Sequence, residues 1–306
     1  MQKITPFLWF DGKAEQAAKF YTTTFNNGKI RRISPISARF TLAGLDFIAL
    51  NGGPQFKFTP AFSFFVICKT RQEIDRLWKK LIAGGMALMG LDKYPFSERF
   101  GWVQDKFGVS WQLNLEGRKQ NIAPFLMFVG AQDGKAEAAI KFYSPLFRNS
   151  RIVNIVRYRA GEPRAEGTLK HARFSLHGQQ FMAMDGGREH PFTFTPATSL
   201  FVSCKTQKEI DYFWKKLSAG GEKERCGWLK DKFGVSWQII PSILSDLLGD
   251  EDEAKSNRAM QAMLKMRKLD IKQLKHAYQG FAKNAKKQKR PRADGYVVDS
   301  TQRQSC

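Results

Sequence analysis

The octapeptide Asp105 to Gln112, DKFGVSWQ, recurs unchanged at Asp231 to Gln238 and lies inside a longer collinear repeat. Ile4-Thr5-Pro6-Phe7-Leu8 returns as Ile122-Ala123-Pro124-Phe125-Leu126, and Asn51-Gly52-Gly53 returns as Asp185-Gly186-Gly187. Cys68-Lys69-Thr70 and Trp78-Lys79-Lys80-Leu81 return as Cys204-Lys205-Thr206 and Trp214-Lys215-Lys216-Leu217. A repeat of this order sets unit boundaries before any element is assigned. It predicts one domain over residues 1–118, a second over 119–245, a helical extension over 246–281 and a basic tail over 282–306. Domains of about 100–150 residues are the usual size, so the chain length suits two.

Each copy reads the same way. A strand at Thr5–Phe10 leads into a helix whose Ala14, Ala17, Ala18, Tyr21 and Phe25 keep helical spacing. Strands follow at Lys29–Ile36, Ala38–Leu42 and Leu45–Leu50. The pattern then restarts with a strand at Phe62–Cys68. Thr70 and Glu73 form a capping box ahead of a helix carrying Ile74, Leu77, Trp78 and Leu81, and closing strands end in Gly108–Leu113. Each copy is therefore a doubled βαβββ unit. The first copy has no counterpart of Val153 to Arg164, a stretch with Gly161-Glu162-Pro163 at a hairpin tip, and such loops commonly edge binding sites. That asymmetry places the working site in the second copy.

A doubled βαβββ unit of this size resembles the vicinal oxygen chelate module of the glyoxalase and bleomycin-resistance superfamily. The opening Ile4-Thr5-Pro6-Phe7-Leu8-Trp9-Phe10-Asp11-Gly12, the Asn/Asp-Gly-Gly, Cys226-Gly227-Trp228 through Gly234, and the Trp-Gln of the last strand are similar to its PhnB-like branch. The segment Met260 to Met266 through Leu269-Asp270-Ile271 also resembles that branch. The resemblance implies an α+β fold of two tandem glyoxalase-like domains, each of two βαβββ modules forming a cupped mixed sheet, with C-terminal helices and an intrachain pseudo-dimer. Such proteins have been labelled demethylubiquinone methyltransferases. A Rossmann-type methyl transferase needs a glycine-rich turn between its first strand and helix, and Asp11-Gly12-Lys13-Ala14 carries one glycine.

Metal-using members hold their ion with side chains on the first and last strands of each module. That geometry, carried over, points to Asn51, Ser63 and Gln112 in the first copy and to Phe125, Met127, Asp185, Ser199 and Gln238 in the second, with Trp228 nearby. Divalent metals prefer imidazole, carboxylate or thiolate donors, and this set is poor in them. The expectation is a small-molecule ligand with no metal and no cofactor. Asp185 is the candidate catalytic group, and Phe125, Met127, Ser199, Gln238, Trp228, Asn51, Ser63 and Gln112 are the candidate binding residues. Whether the protein turns its ligand over or only sequesters it stays open.

Several features admit two readings. His171, His177 and His190 lie in the second copy, against Ala38 and Ala43 for the first two, and suit either exposed positions or a pocket shared with Asp185. Trp102, Trp111, Trp228 and Trp237 serve either as core or as stacking surfaces. Gln112 and Gln238 need partners, which a ligand or a neighbouring side chain supplies. The Met260, Met263 and Met266 face packs on its own domain or on a partner. Cys68, Cys204, Cys226 and Cys306 contain no Cys-x-x-Cys and read as free thiols. With no signal-like start and no apolar run near the roughly 18–20 residues of a membrane span, a cytoplasmic protein is expected.

The net charge of +22 favours anionic partners. From Ser245 onward there are 14 Lys and Arg against 8 Asp and Glu, so most of the excess lies elsewhere. Lys286, Lys287, Lys289, Arg290 and Arg292 nevertheless crowd the tail, which reads either as solvated chain or as a contact for nucleic acid or an anionic surface.

Overall fold

The structure, a computed structural model that describes residues 2–280, follows the doubled order. The first module comprises β1 (Ile4–Phe10), α1 (Ala14–Thr24), β2 (Lys29–Ile33), β3 (Ser37–Leu42) and β4 (Leu45–Asn51). The second comprises β5 (Phe62–Cys68), α2 (Arg71–Ile82), β6 (Met86–Tyr94), β7 (Ser97–Gln104) and β8 (Ser110–Leu115). The third has β9 (Asn121–Val129), α3 (Ala136–Tyr143), β10 (Arg151–Arg157), β11 (Leu169–Leu176) and β12 (Gln179–Gly187). The fourth has β13 (Thr198–Cys204), α4 (Gln207–Leu217), β14 (Glu222–Lys223), β15 (Trp228–Lys230) and β16 (Ser236–Pro241). The extension forms three helices, α5 (Leu244–Leu248), α6 (Glu253–Leu264) and α7 (Ile271–Gln279). The basic tail, Phe281 and Cys306 lie outside the described residues.

Local chemistry explains most boundaries. Thr70 Oγ1 accepts from Glu73 N at 3.2 Å while Glu73 Oε2 accepts from Lys69 N at 2.6 Å, and Thr206 and Glu209 repeat both bonds ahead of α4. Asp270 caps α7 by accepting from Gln273 N. β2 stops at Ile33, short of the expected Ile36, because Ser34 and Ser37 bond to each other across Pro35, which has no N–H for a ladder. The last strand of the first copy starts at Ser110, two residues later than expected. Asp105 to Gly108 is a tight turn with Gly108 at φ +89°, a left-handed conformation suited to glycine.

The modules assemble across the copies. One eight-stranded sheet runs β14-β15-β16-β13-β1-β4-β3-β2 and joins the first module to the fourth; we call it sheet A. The other, sheet B, runs β10-β11-β12-β9-β5-β8-β7-β6 and joins the second module to the third. The joins are antiparallel, with Phe7 opposite Ser199 and Ser63 opposite Phe125. The two modules of one copy instead pack through their helix-bearing faces, where Phe47 meets Phe64 with ring centroids 5.1 Å apart. Back-to-back packing leaves the outer edges of β1 and β5 unpaired within a copy, and the sister copy supplies their hydrogen bonds. The working cup of one copy expected from the sequence is therefore shared: each cup draws one module from each copy.

The identical octapeptide is the rivet of that packing. Asp105 is buried and accepts from Phe107 N at 2.8 Å, Val109 N at 3.1 Å, Trp111 Nε1 at 2.8 Å and Tyr21 Oη at 2.8 Å. Asp231 repeats the set with Phe233 N, Val235 N, Trp237 Nε1 and Tyr143 Oη. Burial pushes both carboxyl groups above the usual carboxylate range, against the pull of these donors. Trp111 and Trp237 are fully buried beneath them, so for these two the core reading holds. Asp105→Ala leaves four buried donors without an acceptor and is expected to cost about 3 kcal/mol, whereas Tyr21→Phe removes one bond and costs about 1 kcal/mol. Urea midpoints of the two variants check the order.

Candidate functional site

Alternation along the strands assigns one face of each sheet to the helices and leaves the other free to form a cup. On the free face of sheet B lie Ser63 and Phe65 of β5, Gln112 and Asn114 of β8, Phe125 and Met127 of β9, and His171 and Arg173 of β11. The corresponding face of sheet A carries Ser199, Phe201, Gln238, Ile240, Phe7, Trp9, Ser37 and Arg39. Ala38 pairs with Ala49 as Ala172 pairs with Ala183, so the counterpart of His171 is Ser37 and not Ala38.

The cup of sheet A is filled by its own chain. Phe7, Ile48, Phe201 and Ile240 form an apolar cluster with Leu244 and Leu247 of α5, Ala259 of α6, Leu269, and Leu274 of α7. Met263 and Met266 pack against it, so the methionine face belongs to the protein's own interior. The cover is tied down by backbone bonds from Cys226 N to Met266 O and from Gly227 N to Arg267 O, each 2.8 Å. Gln207 on α4 bonds both Leu269 O and Ile271 N. Burial of the apolar faces of α6 and α7, at roughly 25 cal/mol per Å² of apolar area, is what holds them there.

Sheet B keeps polar groups at the matching places. Arg173 makes a two-pronged ion pair with Glu116, whose Oε1 also accepts from Asn114 Nδ2 at 3.0 Å. His171 stands two residues from Arg173 on the same face, its ring 6.4 Å from that of Phe125, which stacks on Phe65 at 6.2 Å. Burial, helped by the Arg173 charge, pulls His171 down to about 4, so it is neutral at physiological pH. Trp102 donates to Ser110 Oγ at 2.7 Å. A crevice of about 10 Å³ opens beside Arg173, Ile67, Ala123 and Met182.

Both copy-specific elements flank sheet B. The stretch specific to the second copy is the loop over 158–168 between β10 and β11, tied by Arg164 to Glu189 at 3.0 Å. It starts later than the expected Val153 because β10 has its counterpart in β2, Asn154 facing Arg173 as Arg32 faces Arg39. A second asymmetry escaped the sequence reading: 17 positions separate Gly85 from Trp102 but 7 separate Gly221 from Trp228. The extra residues build the long β6–β7 hairpin at the opposite edge of sheet B.

The expected site residues divide. Ser63, Gln112, Phe125 and Met127 come together on sheet B, while Ser199, Gln238 and Trp228 lie on sheet A with the C-terminal helices. Gln112 Nε2 donates to Ser63 Oγ at 2.9 Å, and Gln238 Nε2 to Ser199 Oγ at 2.9 Å. A pair present in both the filled cup and the other is explained by strand register, so a neighbouring side chain is the partner of each glutamine. Asp185 points to the helix side. Its Oδ1 accepts from Ala136 N at 3.0 Å, its Oδ2 from Leu169 N at 2.7 Å, and Asn51 likewise accepts from Ala14 N. Both residues pin helix starts, and burial raises the Asp185 carboxyl despite those donors. His177 is exposed at a turn with φ 52°, and His190 packs on Phe192 at 4.9 Å. Arg173 and Glu116 were not singled out from sequence, although Arg39-Phe40-Thr41-Leu42 and Arg173-Phe174-Ser175-Leu176 carry the arginine at one position in both copies. Among the described residues no group of three or more His, Cys, Asp or Glu converges as metal donors. Serine, glutamine, phenylalanine and methionine at the superfamily's ligand positions do not fit a divalent ion.

A protein family described as 3-demethylubiquinone-9 3-methyltransferase matches twice in tandem, at residues 2–114 and 120–240. The chain belongs to this family. A putative 3-demethylubiquinone-9 3-methyltransferase, a PhnB protein from Bacillus cereus, is 45% identical over 38% of this chain and 100% of its own, with a TM-score of 0.37. Glyoxalase I from Zea mays is 12% identical over 81% of this chain and 95% of its own, with a TM-score of 0.52, which shows a shared fold. No curated protein matches. The tandem chain thus has a glyoxalase-like fold, as its repeat suggests. No described helix is long and apolar enough to cross a membrane.

The depressed His171 has a sign that stability measurements can read. Its neutral form is favoured by folding, so its contribution is fully present above its ordinary value near 6.5 and is lost as pH falls toward about 4. His171→Ser, the residue of sheet A, is expected to flatten the fall in urea midpoint across that window. An unchanged slope would show that His171 is solvated.

Proposed function

We propose that this PhnB-like protein binds one small molecule per chain on the free face of sheet B, and that sheet A serves as its scaffold. The observation that carries this reading is the asymmetry of the two cups. The C-terminal helices cover sheet A, where Ile240 and Ser37 stand, while sheet B carries Asn114 and His171 at those positions. The arginine is common to both faces as Arg39 and Arg173, and on sheet B it pairs with Glu116. Burying such groups costs free energy that an apolar face avoids, so their presence favours a ligand-facing role over a packing one. The two copy-specific elements at the edges of sheet B support the same choice.

The donor set favours binding without a metal. Trp102 and Arg173 are partly exposed on this face, whereas Phe65, Phe125, Gln112 and Asn114 are buried and the crevice beside Arg173 is about 10 Å³, so a ligand has to part these side chains to bind. Turnover would need a positioned acid or base, and His171, pulled down to about 4, is a weak base at physiological pH, which favours binding over turnover. Asp185 is assigned to pinning α3. Cys68 and Cys204, buried free thiols at matching strand positions, support a cytoplasmic location.

A thermal-shift screen of metabolites followed by calorimetric titration tests this reading. One site per chain is expected, with affinity falling about tenfold, or 1.4 kcal/mol, in Arg173→Ala and holding in Gln238→Ala. Two sites, or the reverse pattern of variants, would overturn it.

A further inference from the structure

The charge of the C-terminal extension is sharply polarised. Residues 253–292 contain 13 Lys and Arg against Glu253 and Asp270, a net of +11, half of the +22 of the whole chain. The acidic residues Asp246, Asp250, Glu251 and Asp252 all precede it. Counting from Ser245 to the end averages these two blocks and conceals the second.

The structure gives the first part of that block two faces. One face of α6 and α7 is spent on the cup of sheet A through Ala259, Met263 and Leu274. The other is exposed and carries Arg258, Lys272 and Lys275, with Lys265 and Arg267 exposed in the link between the helices. Lys265, Arg267, Lys272 and Lys275 make no ion pair among the described residues. Between the two helices runs an open groove of about 860 Å³, lined by Arg258, Lys265 and Lys272 with Asn257, Gln261 and Gln273. One carboxylate, Asp270, also lines it and accepts from Gln273 N as the cap of α7. Arg258 is held in place by bonds from its Nε to Ala277 O at 3.1 Å and from its Nη2 to Tyr278 O at 2.9 Å.

We propose that this groove binds the sugar–phosphate backbone of a nucleic acid. Arg258, Lys265 and Lys272 neutralise phosphates, and the three amides hydrogen-bond phosphate and sugar oxygens. A lipid surface fits less well. Among the described residues the large exposed apolar side chains are Ile30, Ile36, Phe56, Met86, Phe96, Ile152, Val153, Val156 and Tyr212, and none of them lies on α6 or α7. An interfacial helix needs such residues to enter the headgroup region. In the sequence, Gly280 is followed by the further cations Lys283, Lys286, Lys287, Lys289, Arg290 and Arg292. The ligand face of sheet B takes no part, so this inference stands apart from the proposed small-molecule site.

The test is fluorescence anisotropy of the full chain with a labelled 20-nucleotide DNA, single-stranded and duplex, from 50 to 200 mM salt. Removing two phosphate contacts in the Lys265→Ala, Lys272→Ala double variant is expected to lower the log–log salt slope by about 1.8 and to weaken binding about tenfold at the low-salt end. A control pair on α2 and α4, Lys79→Ala with Lys215→Ala, is expected to change neither by more than about twofold. Equal losses in both pairs would reduce the effect to net charge and overturn the groove. So would an unchanged slope in the first pair, no binding by the unaltered chain at 50 mM, or equal affinity for phosphatidylserine vesicles.

Discussion

A buried aspartate with four donors holds each copy of this protein together. Asp105 joins the turn before β8 to Trp111 on that strand and to Tyr21 on α1, a helix of the neighbouring module. Asp231 does the same for the third and fourth modules through Tyr143. A carboxylate in this position is expensive to bury, and its cost is offset only when every donor is in place. That requirement ties the aspartate, the turn glycine, the tryptophan and the tyrosine together in both copies.

Because these rivets lock the modules back to back, the strands that finish each sheet must come from the other copy. The pseudo-dimer is therefore a pair of copies exchanging strand partners and not two closed units side by side. A cup built this way places residues from distant parts of the chain on one surface. Ser63 and Gln112 of the first copy share a face with Phe125, His171 and Arg173 of the second. Duplication produced two such faces, and the C-terminal helices removed the equivalence. With α5 to α7 covering sheet A, chemistry in sheet B was free to differ, and it does so at Ser37 against His171 and at Ile240 against Asn114. The same helices present their second face to solvent, where cations replace the apolar residues of the first.

The candidate site was only half legible in the sequence. Ser63, Gln112, Phe125 and Met127 were found because the superfamily's ligand positions lie on first and last strands. Asp185 was carried over from the same ligand positions and preferred for its carboxylate, and neither signal reveals that two backbone N–H groups already claim both of its oxygens. Arg173 was passed over since an alternating strand charge reads as a solvated side chain until its partner Glu116, 57 positions earlier, is seen beside it.

Local and periodic features were determined by the sequence itself: the copy boundaries, the βαβββ order, the capping boxes at Thr70 and Thr206, and the Asp270 cap of α7. These rest on interactions within a few residues, and their signals are written contiguously. Which modules share a sheet, which cup is filled, and which polar groups meet were decided only by the tertiary structure. Both copies carry nearly the same strands, so pairing within a copy and pairing between copies satisfy the same sequence pattern. The choice between them is made by the buried Tyr–Asp–Trp contacts and by the helices that follow the second copy, and these act across distances that no local pattern records.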